Sequence, residues 1–296
     1  MDGGSTDDTL AKLQTWQGSG RVPLRVLVEP GANIAQGRNT AIAAARGPVI
    51  ASTDAGVDLE RDWLSNLVQP FEAAGAVDAA AVVACGFFVP DTRTAFETAL
   101  GATTLPALKD INPQRFLPSS RSVAFPKAAW AAIGGYPEWL DYCEDLILDL
   151  RLREQGCRFV FVPDAVARFR PRSNLGAFFR QYYRYARGDG KADLWRWKHV
   201  VRYLTYLVGL PVLLWLTLTR SIGWALLLLL GAAAVLFTPY KRLLPKFSAL
   251  GASERLKAIL WVPVIRATGD IAKMLGYPVG LWWRWRHRRE IPNWRQ

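Results

Sequence analysis

The stretch ANIAQGRNTAIAAARGPVIASTDAG, residues 32–56, decides the fold. Asn33–Arg46 reads as an Ala-rich helix, and Pro48–Thr53 reads as a buried strand that carries Asp54 into a turn at Ala55-Gly56. A helix feeding a short apolar strand that ends in a carboxylate is the repeating unit of α/β folds, where chemically active side chains collect at strand ends.

Working outward, the same alternation continues on both sides. Leu24–Glu29 predicts a strand before the helix, and Arg61–Ala74 a helix after Asp54. Ala79–Val89 and Ser122–Pro126 read as extended, Lys127–Ile133 and Glu144–Gln155 as helical, and Arg158–Pro163 as a strand. Strand and helix alternating at this spacing predict a largely parallel sheet. At the start, Asp2-Gly3-Gly4-Ser5-Thr6-Asp7-Asp8-Thr9 has the composition of a strand-to-helix turn whose Ser5, Thr6 or Asp7 caps the next helix.

The character changes after Arg168. Residues 1–200 hold 23 Lys and Arg against 22 Asp and Glu, whereas residues 201–296 hold 14 against 3, so +11 of the net charge of +12 lies in the last third. Nine of the thirteen Trp stand at or beyond Trp195, among those basic residues. Cations and indoles flanking apolar runs suit an anionic membrane surface rather than a nucleic acid. Tyr203–Thr219 and Ile222–Tyr240 are free of charges and separated by little more than Arg220, which predicts a membrane hairpin over about 203–240. Arg196, Lys198 and Arg202 on one flank and Lys241, Arg242 and Lys246 on the other place both ends in the cytoplasm, as in a multi-pass inner-membrane protein. A later apolar stretch at about 256–285 carries Arg266, Asp270 and Lys273 and reads as interfacial or re-entrant. The expected division is therefore a catalytic domain over 1–196 and a membrane region over 197–296. Cys85, Cys143 and Cys157 have neither the spacing of a metal site nor that of a disulfide framework.

Three further groups carry chemistry. Gly134-Gly135-Tyr136-Pro137-Glu138 precedes the acidic pair Glu144-Asp145 at the start of a helix, and Gln181-Tyr182-Tyr183-Arg184-Tyr185 follows. Pro118-Ser119-Ser120-Arg121-Ser122 is a polar stretch suited to acceptor contact. The order of the acidic loop, Arg38-Asn39, Asp54, Glu144-Asp145 and Gln-x-x-Arg resembles the inverting glycosyltransferases of family 2, over about residues 2–190. That resemblance implies a GT-A fold and transfer of a sugar from a nucleotide-sugar donor to a lipid-linked or glycan acceptor at a membrane. By the same resemblance Asp2, Arg38, Asn39 and Asp54 would bind the nucleotide, and Asp54 would hold Mg²⁺ or Mn²⁺ on the diphosphate. Asp145, beside Glu144, would take the proton of the acceptor hydroxyl, and Gln181, Arg184 and Tyr185 would close the site, with Tyr185 where the family has Trp. The family's second metal-binding acid is replaced here by Gly56.

A rival reading is a non-catalytic membrane protein that keeps the fold as an interaction module. Relatives also start earlier, so the resemblance implies a catalytic domain lacking its first strand, and a chain that folds poorly or is inactive as written. Nucleotide-sugar turnover by this chain and by an upstream-extended version checks that expectation, and equal activity in both contradicts it.

Overall fold

The computed structural model describes residues 1–75 and 79–291. The first part comprises α1 (Thr9–Gly18), α2 (Ile34–Ala44), β1 (Val49–Ser52), β2 (Val57–Leu59), α3 (Trp63–Ala73), β3 (Val82–Pro90), α4 (Ala95–Thr104), β4 (Val123–Pro126), α5 (Lys127–Ala132), α6 (Glu144–Glu154), β5 (Arg158–Phe169) and α7 (Leu175–Ala192). The strands form one sheet in the order β1-β4-β3-β5-β2.

The α/β class holds, but the sheet is mixed rather than largely parallel. β3 and β5 pair in parallel, while β1–β4, β3–β4 and β2–β5 are antiparallel. The helical connections do make β1, β3 and β5 run the same way, as the alternation implied. β4, which arrives through the irregular stretch 105–122, slots between β1 and β3 in the opposite direction. Side chains alternate across this sheet with the period of two that a pleated strand imposes. Val83, Cys85, Val123 and Phe125 pack with Ile42, Tyr136, Leu148 and Leu152 on one face. Val82, Ala84 and Ala124 pack with Trp63, Leu67 and Phe71 on the other.

Two further expectations change. Leu24–Glu29 does not become a strand: only Asp2 bridges it, at Val28, through Asp2 N–H to Leu27 O and Glu29 N–H to Asp2 O. A single bridge supplies too few ladder hydrogen bonds to extend. The basic stretch after Arg168 is not a linker either, because β5 runs on to Phe169 and α7 is an 18-residue helix.

Beyond α7 come α8 (Arg196–Tyr203), α9 (Leu210–Thr219), α10 (Ala225–Leu243) and α11 (Ala252–Arg286). The helical stretches Arg196–Thr219, 24 residues, and Ile222–Ala249, 28 residues, are each long and apolar enough to cross a membrane. They fold back on one another, and Leu207, Leu218, Leu229 and Phe237 on them are all more than 60% exposed. α11 is different in kind. It buries Ala258, Val262 and Ile265 against α4, α7 and α10, while Leu256, Leu260, Ile271, Leu275 and Trp282 stay exposed on its outer side.

Glycines set the separation of α7 and α11. A Cβ on Gly276 would run into the Tyr183 carbonyl, one on Gly280 into the Arg187 carbonyl, and one on Gly190 into the Tyr277 carbonyl. Backbones this close leave no room for a side chain, as in small-residue crossings generally. Polar contacts lock the base of the hairpin to the same helix: buried Asp270 accepts from Arg202 Nε at 2.8 Å and from Tyr206 Oη at 3.0 Å. Gly276→Val is expected to destabilise the protein by about 1–3 kcal/mol or more. Gly231→Ala, whose Cβ would meet nothing within 4 Å, is expected to be neutral. Thermal unfolding in detergent compares the two.

Candidate active site

The site is assembled around Arg38. Asn33 starts α2 with a reciprocal cap: its Oδ1 accepts from Gln36 N–H and its own N–H donates to Gln36 Oε1, both at 2.9 Å. One turn on, Arg38 extends a fork of donors from the helix. Nη2 donates to Asp54 Oδ1 and Nη1 to Glu144 Oε1, each at 2.5 Å, with the guanidinium 5.3 Å from the Tyr136 ring centre. Three separate elements, α2, the end of β1 and the start of α6, thus meet at one cation. Beside it lies a cleft of about 590 Å³ whose wall includes Gly3, Asn33, Arg38, Thr53 and Asp54.

Glu144 and Asp145 open α6, and the residue before them is held in an unusual shape. Cys143 has φ +67, in the left-handed region that L residues rarely occupy. Its thiol donates toward Tyr185 O at 3.4 Å and Asp189 Oδ1 at 3.6 Å, and Gly188 lets α7 come close, since a Cβ there would be 2.6 Å from Tyr142 O. Nothing in the sequence signals this, because the conformation is imposed from α7. Burial, and then the charge of Asp145, push the Glu144 carboxyl up to about 7, with Arg38 pulling the other way. Asp149, buried one turn along α6, is raised as well, first by burial and then by Asp145.

The other expected residues divide. Asp2 is buried, but its carboxylate accepts from Gly4 N–H, Ser5 N–H and the Ser5 hydroxyl, and these bonds hold it below the usual carboxylate range. It shapes the acidic loop next to the cleft. α1 begins at Thr9, with Asp7 Oδ1 accepting from Thr9 N–H at 3.1 Å. Asn39 does not face the cleft. Its amide is used up by Tyr136 N–H and O, Trp130 Nε1 and Glu138 Oε1, so it ties α2 to the segment 130–138. Gln181 donates to the Tyr185 hydroxyl at 2.7 Å, and Arg184 donates to the Tyr142 hydroxyl at 3.0 Å; none of these four residues lines the cleft. In the stretch 118–122 the serines are structural: Ser120 bonds Tyr136 Oη, and Ser122 bonds Trp63 and Ala165. Arg121 alone turns toward Asp54, with Nε 3.6 Å from Oδ2.

A mixed α/β sheet with a carboxylate at the end of β1, an arginine from the preceding helix and an acidic pair opening a later helix fits a GT-A fold. Residues 1–130 match the family described as glycosyl transferase family 2. The mannosyltransferase PcManGT from Pyrobaculum calidifontis, solved in complex with GDP-Man and Mn²⁺, superposes with a TM-score of 0.58 at 17% identity, over 92% of this chain and 76% of that one. TarS 1–349 of S. aureus, in complex with UDP-GlcNAc, gives a TM-score of 0.41 at 13% identity, over 97% and 81%. No curated protein matches in sequence. Residues 1–130 thus carry the glycosyltransferase domain that this family describes, and the chain is a glycosyltransferase.

The raised Glu144 carboxyl has a signature in stability. Between the ordinary Glu value of 4.5 and about 7 the folded protein holds a proton that the unfolded chain has lost, so stability falls as pH rises through that window. In Glu144→Gln the fall is expected to be shallower, as read from denaturation midpoints at pH 5, 6 and 7.

Proposed function

We propose that the protein transfers a sugar from a nucleotide-sugar donor to a lipid-linked or polysaccharide acceptor at the cytoplasmic face of a membrane, by inverting single displacement. The observation that carries this reading is the convergence of Arg38, Asp54 and Glu144, with Asp145 next in the chain, beside one cleft.

Inverting transfer needs the acceptor hydroxyl to lose its proton as it attacks the anomeric carbon, opposite the departing diphosphate. Asp145 is the base in this reading. Among the described residues its Oδ1 accepts only from the N–H of its own neighbour, Leu146, at 2.8 Å, and Glu144 beside it is committed to Arg38. The cleft takes the nucleotide between the acidic loop at Asp2 and the Arg38–Asp54 pair. Tyr185, oriented by Gln181, and Tyr142, engaged by Arg184, give the acceptor side aromatic faces on which a sugar ring stacks.

The Mg²⁺ or Mn²⁺ implied by the resemblance would have Asp54 as its carboxylate ligand and would screen the charge of the leaving diphosphate. The residues present are a poor fit to a resident cation. Both Asp54 oxygens face arginines, the position two residues on is Gly56, and among the described residues no group of three His, Cys, Asp or Glu side chains is arranged to hold a metal.

The membrane assignment rests on the exposed apolar hairpin. In water its leucines and Phe237 would form a contiguous apolar surface far larger than monomeric soluble proteins tolerate. With the hairpin inserted, α11 lies along the interface, its outer apolar side toward lipid and Arg284, Arg286 and Trp285 at its end.

Asp145→Asn is expected to lower transfer by about a hundredfold or more while leaving nucleoside diphosphate affinity nearly unchanged. Transfer in membranes and calorimetric binding in detergent measure the two separately. Retained transfer removes the base assignment.

A further inference from the structure

Asp54 has two oxygens and two arginines, and the arginines are not equivalent. Arg38 is closed in: Asp54 and Glu144 each take one arm of its fork at 2.5 Å, and its side chain is only 15% exposed. Its charge is already matched by carboxylates. Arg121 is held more loosely. Its Nε is 3.6 Å from Asp54 Oδ2, beyond hydrogen-bond length, and among the described residues its other ion-pairing or hydrogen-bonding neighbours are the Ser119 hydroxyl at 3.5 Å and the Tyr185 phenol.

What fixes Arg121 is apolar. The guanidinium lies 4.7 Å from the Phe169 ring centre and 6.0 Å from that of Phe88, two aromatic faces at the adjoining ends of β5 and β3. Stacking of this kind holds the plane of a guanidinium while leaving its in-plane donors free for a partner. A guanidinium seated on two rings, its polar contacts to Asp54 and Ser119 at 3.5 Å or longer, at the edge of a carboxylate that marks the end of β1, is suited to a doubly charged oxyanion.

The geometry points to Arg121 as a binding residue for the donor's diphosphate, an assignment that rests on the donor reading above. The diphosphate displaces Asp54 from Arg121 and takes the guanidinium's in-plane donors, while Asp54 stays on Arg38. Where Gly56 removes a second acid from the turn, a fixed cation from the loop before β4 supplies the charge. Diphosphate binding by this chain therefore persists when divalent cations are removed.

The test uses the full chain in detergent, with GDP and UDP as probes and the matching nucleosides for comparison, in EDTA and in Mn²⁺. The wild-type protein binds at least one of the two diphosphates in EDTA. R121Q lowers that affinity by about tenfold or more in both conditions and leaves the nucleoside affinity unchanged; R121K falls between them. Should R121Q not fold, as judged by its melting curve, R121K decides by the same comparison of diphosphate with nucleoside. Unchanged diphosphate affinity in the folded variant overturns the assignment and leaves the donor reading standing. Equal loss of diphosphate and nucleoside also overturns it, since Arg121 then only shapes the cleft. A wild-type protein that binds the diphosphate in Mn²⁺ but not in EDTA overturns it as well. A wild-type protein that binds neither nucleotide in either condition removes the donor reading and this assignment together.

Discussion

The two-armed ion pair of Arg38 is the constraint on which the site depends. A charge this enclosed is tolerable only when paired, and removing one partner of a buried pair typically costs about 3–5 kcal/mol, because the survivor is left uncompensated. Arg38 has partners on two different elements, so the requirement reaches beyond a local contact. It fixes the start of α6 against the end of β1 and thereby fixes where Asp145 points. The shape of the cleft follows from satisfying that one guanidinium, whereas the Glu144 carboxyl is raised by burial and by Asp145 against the pull of Arg38.

Much of this was legible in the sequence, and what was not has identifiable causes. The alternation of helix and strand located α2, β1, α3, β3 and α6 to within a few residues, and the start but not the end of β5, because each buries one face and shows it in its pattern. The reversed insertion of β4 could not be read that way. Period tells which residues are extended, and says nothing of the direction in which a short strand enters a sheet. α4 escaped for the opposite reason: Ala95–Thr103 is buried on all sides, so its small and apolar residues carry no amphipathic stripe. Leu24–Glu29 looked like a strand from its composition, but a strand exists only where a partner runs beside it.

At the site, residue type was a better guide than residue order. Arg38, Asp54 and Glu144 come together because charged groups that are buried must find each other. Asn39 looked equally suited to a ligand, yet four hydrogen bonds within the fold consume it. Arg121 sat among serines and drew attention only as part of a polar loop. The rings that orient it, Phe88 and Phe169, lie more than thirty positions away on either side.

The glycine-limited contact of α7 with α11 has a bearing on how such an enzyme can change. One side of α7 carries Gln181, Arg184 and Tyr185, which the proposed function places toward the acceptor, and the other meets α11 at a separation that admits only hydrogen at Gly190, Gly276 and Gly280. A helix wedged this tightly cannot rotate or slide to accommodate a new acceptor. Drift in specificity is therefore channelled into substitutions on its open side and in the loops facing it, while the surface of the same helix that meets α11 is frozen by geometry.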